Sequence, residues 1–178
     1  MAGFAEHARA GVRSYGVFVL AAVALWLARE PLTVDTSTYT LPISDELWRT
    51  ALSCALCFAL AFVGAAFPDT DIKSRSQMLF YRALFVADAA LIMLYFSRDA
   101  VIYLQAAAFL GVAAMAPLLG KHRGWTHSPL AMLTVPSPLL LLPMLTANAL
   151  VWVGLPYYIA ALIGYASHLH KDGMLFRR

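Results

Sequence analysis

Three short strings hold most of the side chains in this sequence that could bind a cation. In PDTD, Pro68 to Asp71, a proline directly after an apolar run stops the helix, so Asp69 and Asp71 fall in a turn. Carboxylates two residues apart in a turn can converge on one cation, or can simply be solvated. In KHRGWTHS, Lys121 to Ser128, His122 and His127 stand five apart around Gly124, a residue that permits a tight reversal able to bring the two imidazoles together. In SHLHKD, Ser167 to Asp172, His168 and Asp172 are spaced i and i+4 and share a helix face, which suits joint metal ligation. His170 lies about 200° around the same helix from His168 and reads as a solvated or interfacial residue.

With His7, the candidate ligands are His7, Asp69, Asp71, His122, His127, His168 and Asp172. They exceed the needs of one tetrahedral Zn²⁺, and mixed imidazole and carboxylate ligation suits Zn²⁺ first, with Mn²⁺ or Fe²⁺ as alternatives. Two ions about 3.5 to 4 Å apart would use the whole set, activate a water and clamp a phosphoryl oxygen. Arg75 and Arg123 are then candidate donors to an anionic group, their guanidinium geometry being suited to two-pronged phosphate contacts. Contact with lipid headgroups is the other role open to them.

The elements that must position these residues are membrane helices. Of 178 residues, 61% are hydrophobic and 13% charged, and the mean hydropathy is +0.70. A soluble domain has roughly 25% charged residues, so an ordinary globule is excluded, as are disordered and disulfide-built chains. A spanning helix needs about 20 mostly apolar residues. Six segments qualify: Ser14 to Ala28, Leu47 to Phe67, Leu79 to Phe96, Val101 to Gly120, Pro129 to Ala147 and Leu150 to Leu169. The first has the outline of a signal peptide, but Trp26 occupies a position where cleavage after Ala28 needs a small residue, so it reads as a retained anchor. The fifth carries Pro129, Pro136, Pro138 and Pro143, and a re-entrant hairpin is its alternative. Cys54 and Cys57 sit inside the second segment as an i, i+3 pair of packing residues rather than a redox or metal motif. Asp88, in the middle of the third, is costly in lipid and reads as neutral and hydrogen-bonded to a neighbouring helix, or as part of a substrate path.

The formal charge is +3 with a pI near 9.0, yet no basic run exceeds two residues, so membrane orientation rather than nucleic acid accounts for the bases. If the six segments alternate, Arg9, Arg13, Lys73, Arg75, Arg82, Lys121, Arg123, Lys171, Arg177 and Arg178 share one side, against Arg29, Arg49 and Arg98 on the other. By the positive-inside rule both termini are cytoplasmic and the polar 29–46 connection is an external loop. All five histidines fall on the cytoplasmic side together with Asp69, Asp71 and Asp172. The expected architecture is therefore one all-α integral membrane domain over 1–178 with about six transmembrane helices.

The strings PDTDIKSRS, HRGWTHS and GYASHLHKD, together with His7 in HARAG, resemble the motifs of the YdjM-like (LexA-regulated) family of bacterial membrane-bound predicted metal-dependent hydrolases. The match takes in His7 and Gly11; Asp69, Asp71 and Ser74; His122, Arg123, Gly124, Thr126, His127 and Ser128; and Gly164, Tyr165, Ser167, His168 and Asp172. The resemblance implies a multi-pass protein of the bacterial inner membrane that hydrolyses its substrate with bound metal. Joined to the cation-binding residues, it leads to a phosphoester of a lipid or other membrane-delivered substrate, cleaved at the cytoplasmic boundary. The expected partners are membrane lipids, with a phosphorylated lipid as substrate. The alternative is a non-enzymatic metal-binding protein: a regulator, transporter or effector subunit.

Parity of the segments decides whether the ligands can meet. In a background lacking Cys54 and Cys57, Thr38→Cys should react with an impermeant maleimide added from the periplasmic side, while Ser76→Cys, Lys121→Cys and Lys171→Cys should not. External labelling at position 171 would make the fifth segment re-entrant and put His168 on the wrong side.

Overall fold

The structure, a computed structural model, describes residues 3–29, 45–71, 73–115, 117, 124–147 and 150–175. Most of the expected external loop, together with Lys121, His122 and Arg123, lies outside these residues. The described residues are all α, with no strand. Seven α-helices follow in order: α1 Phe4–Arg29, α2 Asp45–Ala66, α3 Arg75–Arg98, α4 Val101–Met115, α5 Pro129–Thr134, α6 Ser137–Ala147 and α7 Val151–Lys171. Two 3₁₀ turns, Phe67–Asp71 and Trp125–His127, carry the central parts of the first two motifs. Among the described residues, Phe4–Leu25, Trp48–Asp71 and Arg75–Arg98 are long and apolar enough to cross a membrane. Val101–Val112 and Pro129–Leu141 are shorter apolar stretches.

Two of the expected segments differ from the observed helices in informative ways. The first begins at Phe4 rather than Ser14. Glu6, Arg9 and Arg13 lower the hydropathy there, but all three are exposed, while His7, Ala8, Gly11 and Tyr15 form a buried stripe at helical spacing. The fifth is two helices rather than one, because Pro136 has no backbone donor to continue α5. At the break the Val135 amide donates to Ala131 O, and the Ser137 hydroxyl donates to Thr134 O.

Helices α1, α2 and α7 form the centre. In lipid no hydrophobic drive holds helices together, so close backbone approach through small residues does much of the work. Here a Cβ on Gly164 would run into the carbonyl of Ala61, and one on Gly64 into the carbonyl of Ala161. One on Gly11 would lie 2.5 Å from the Ala65 Cβ and 3.5 Å from the Gly164 Cα. Tyr15, Cys57, Ala61 and Ala160 fill the adjoining core, with Cys57 buried, Cys54 exposed and both as thiols. Outside this centre, α3 pairs with α4, and the Tyr81 hydroxyl donates to Ala114 O at 2.8 Å. Asp88, midway along α3, is half-buried, and its Oδ1 has no hydrogen-bond partner among the described residues, so the expected bond to a neighbouring helix is not seen for that oxygen.

Because the crossing of α2 and α7 leaves no room for a side chain, Gly164→Val should destabilise the protein by about 1 to 3 kcal/mol or more. Gly111→Ala, with nothing within 4 Å of the added carbon, should change stability by less than about 1 kcal/mol. Unfolding in mixed micelles with increasing SDS measures both.

Candidate metal centre

The C-terminal ends of α2 and α7, the N-terminal part of α1 and the turn before α5 meet at one end of the molecule. Five of the expected ligands come together there. His7, Asp69 and His168 form one triad and His127, His168 and Asp172 another, with the ligand atoms of each within 4.8 Å of one another. His168 belongs to both.

Each side chain is placed by a local device. Phe67–Asp71 closes into a 3₁₀ turn in which the Thr70 hydroxyl donates to Phe67 O. Ser74 then caps α3 by accepting from the Gln77 amide and donates its own hydroxyl to Asp69 O, which ties the Asp69 turn to the start of the next helix. Ser128 caps α5 in the same way, accepting from the Ala131 amide and donating to Trp125 O, and so fixes the turn that carries His127. Gly124 precedes that turn with φ of −81° and ψ of −127°, outside the helical and extended regions, while its expected partner in the reversal, His122, lies outside the described residues. Among the described residues the left-handed glycine is Gly173, at φ of 69°, which turns the chain directly after Asp172 and ends α7.

The hydrogen bonds of the imidazoles decide which nitrogens face inward. A carbonyl only accepts, so His168 donates through Nδ1 to Ala65 O at 2.7 Å, one of the carbonyls that the end of α2 leaves without a helical partner. When the ring is neutral, its Nε2 then carries the lone pair. Thr126 donates its single hydroxyl proton to Asp71 Oδ2 at 3.2 Å, so it can only accept from His127 Nδ1, also at 3.2 Å. The Nε2 of the neutral His127 ring is likewise a lone-pair atom. The Tyr165 hydroxyl donates to Thr126 O and braces this arrangement from below.

Both lone-pair nitrogens point at carboxylates. His168 Nε2 lies 3.6 Å from Asp69 Oδ1 and 3.6 Å from Asp172 Oδ2, and His127 Nε2 lies 3.7 Å and 3.9 Å from the same two atoms. These distances are too long for hydrogen bonds. They approach the separation of ligand atoms around one tetrahedral ion, about 3.3 to 3.6 Å for bonds of roughly 2.0 to 2.2 Å. Within each triad the ligand atoms stand close enough together to hold one divalent cation. His7 stacks on His168 with ring centres 3.8 Å apart and presents Nε2 to the other oxygen of Asp172, Oδ1, at 3.5 Å. The three histidine side chains are at most 3% exposed and that of Asp172 is 7%, whereas Asp69 is 20% exposed and opens the cluster to the outside.

The remaining expected residues are placed differently. Asp71 belongs to neither triad and stands one hydrogen bond back, on Thr126. Arg75 is exposed in the first turn of α3, without an ion pair to the cluster among the described residues. His170 is exposed, as its helical position requires. Thr126, Tyr165 and the Ala65 carbonyl were not among the expected functional groups, although Thr126 and Tyr165 stand inside the motif strings.

Fold and site together define a multi-pass α-helical membrane protein with a buried His and Asp cluster able to hold a divalent cation. The chain matches the YdjM inner membrane protein family over residues 14–176 and belongs to that family. It is a protein of the bacterial inner membrane. No curated protein and no solved structure matches it.

Replacing His127, His168, Asp69 or Asp172 by alanine should each lower the metal content of purified protein, measured by inductively coupled plasma mass spectrometry, while His170→Ala should not. Thr126→Val removes the acceptor that orients His127 without touching a ligand atom, and should weaken affinity in a chelator competition by about 10 to 100-fold.

Proposed function

We propose that this chain is a membrane-bound, metal-dependent hydrolase that cleaves a phosphoester of a lipid or other membrane-delivered substrate at the cytoplasmic boundary. One observation carries it: two buried imidazole nitrogens, aimed by Ala65 O and Thr126, face two carboxylates at 3.6 to 3.9 Å, a spacing that calls for a cation between them. His127, His168, Asp69 and Asp172 would hold a divalent ion, Zn²⁺ being best suited to this mixed set. His7 would support Asp172 or hold a second ion. His168 has only Nε2 to offer, since Nδ1 serves the Ala65 carbonyl, so a second ion would have to share a carboxylate with the first. Such an ion supplies Lewis-acid activation of a water and of a phosphoryl oxygen.

The chain's own residues provide the rest. Asp69 faces the open side, from which a substrate would approach, and the small exposed area of the other ligands keeps bulk water from the centre. Arg123, one residue from His122, and Arg75 are the proposed donors to the anionic group. A single transmembrane domain with both termini in the cytoplasm, the 29–46 connection outside and the fifth crossing made by α5 and α6 accounts for the gathering of His7, Asp69, His127, His168 and Asp172 at one end. A non-enzymatic metal site would need no open side.

The test separates holding the metal from using it. Arg123 cannot bind a cation, because its guanidinium stays protonated. Arg123→Lys should keep the metal and the fold but slow phosphoester hydrolysis by ~1 to 3 kcal/mol in kcat/KM, the scale of a charge-assisted hydrogen bond. No turnover of any phosphoester by the metal-loaded parent protein would favour the non-enzymatic role.

A further inference from the structure

Beneath the cluster lies an apolar cavity of about 710 Å³, within the size range of small-molecule sites. Its walls come from α2, α3, α4, α7 and the break between α5 and α6, with Leu84, Leu110, Ala114 and Val135 among them. A second apolar cleft of about 270 Å³ adjoins it, and the two share Val63, Phe67, Phe80 and Leu84. Phe67 and Phe80 meet edge to face, with ring centres 5.5 Å apart, and stand in the wall common to both. The space is therefore forked.

Both branches run up to the candidate centre. Tyr165 lines the larger one and donates its hydroxyl to the carbonyl of Thr126, the residue before His127. Thr70, between Asp69 and Asp71, lines the smaller one. At this end the exposed bases Lys73, Arg75 and Arg82 gather around the start of α3. An occupant complementary to the whole would be apolar and forked at one end and anionic at the other.

We infer that the forked cavity is a binding site for an anionic two-chain lipid, with one acyl chain on each side of the Phe67 and Phe80 pair and the headgroup phosphate at the basic rim beside Asp69. The placing of the phosphate rests on the proposal that the cluster is a metal centre; the placing of the chains does not. Anionic lipid drawn to the outside of the helices by the exposed bases alone would leave its chain on exposed faces, not on the cavity lining. A site built from this cavity and rim would prefer an anionic lipid.

The experiment uses the full chain in phosphatidylcholine vesicles doped with a phosphatidylglycerol that carries a diazirine near the end of one acyl chain. After irradiation, adducts should appear on Leu84, Leu110, Ala114 or Val135. Excess unlabelled phosphatidylglycerol should reduce them by about tenfold, a difference of ~1.4 kcal/mol, while the same excess of phosphatidylcholine should not. Leu84→Trp places an indole in the wall common to both branches and should reduce adducts similarly with metal content unchanged, whereas Phe85→Trp on the exposed face should not. If Leu84→Trp fails to fold, the competition on the parent protein decides. Equal competition by both lipids, or adducts confined to exposed residues such as Phe85 and Met93, overturns the site while leaving metal-dependent hydrolysis intact. Cavity adducts with the expected preference, in metal-loaded protein that turns over no phosphoester, keep the lipid site and remove the hydrolase.

Discussion

The backbone contact between α2 and α7 fixes the relation of the candidate ligands, because it leaves almost no freedom in how the two helices cross. Gly164 lies against the Ala61 carbonyl and Gly64 against the Ala161 carbonyl, with no side chain between them. One turn beyond the crossing, the Ala65 carbonyl takes the Nδ1 proton of His168. A displacement of α7 by one helical turn, about 5.4 Å, would break this bond and carry His168 and Asp172 away from Asp69. Gly11 extends the same constraint to α1, where it lets the helix come close enough for His7 to stack on His168. The glycines are thus part of the site although they offer it no ligand.

Electrostatics supplies the second condition. Asp69 and Asp172 bring two carboxylates to histidines that are almost wholly buried, and buried charge is tolerated only when it is paired. The orienting bonds from Thr126 and Ala65 O turn lone pairs toward those carboxylates when the rings are neutral. Either protons on the imidazoles or a metal ion can restore the balance. The candidate triads bring imidazole and carboxylate atoms within 4.8 Å of one another, a spacing that a divalent ion could bridge.

Much of this was legible in the sequence, for identifiable reasons. The i, i+4 spacing of His168 and Asp172 survives as a shared face, and His170 is exposed as the 200° offset requires. The parity argument anticipated that His7, Asp69, His127, His168 and Asp172 would gather at one end, because alternation along hydrophobic segments is a long-range rule that short motifs do not carry. Hydropathy failed at α1, where exposed charges on one face hid a buried stripe on the other. It also failed at the fifth segment, where an apolar average concealed the break at Pro136. The hydrogen bond from Thr126 to Asp71 is a three-dimensional detail that spacing does not encode.

The cluster draws on residues from both ends of the described chain, with His7 in the first helix and His168 and Asp172 in the last. During synthesis the first helix, the Asp69 turn and the His127 turn are made before the helix that completes either triad. Until α7 is made and packs against α2, neither triad has all its members, because His168 belongs to both. A cation that needs a whole triad could therefore be captured only after the last helix has packed. An ion bound there would also act as a lock, joining the first inserted element to the last and opposing the withdrawal of either from the bilayer.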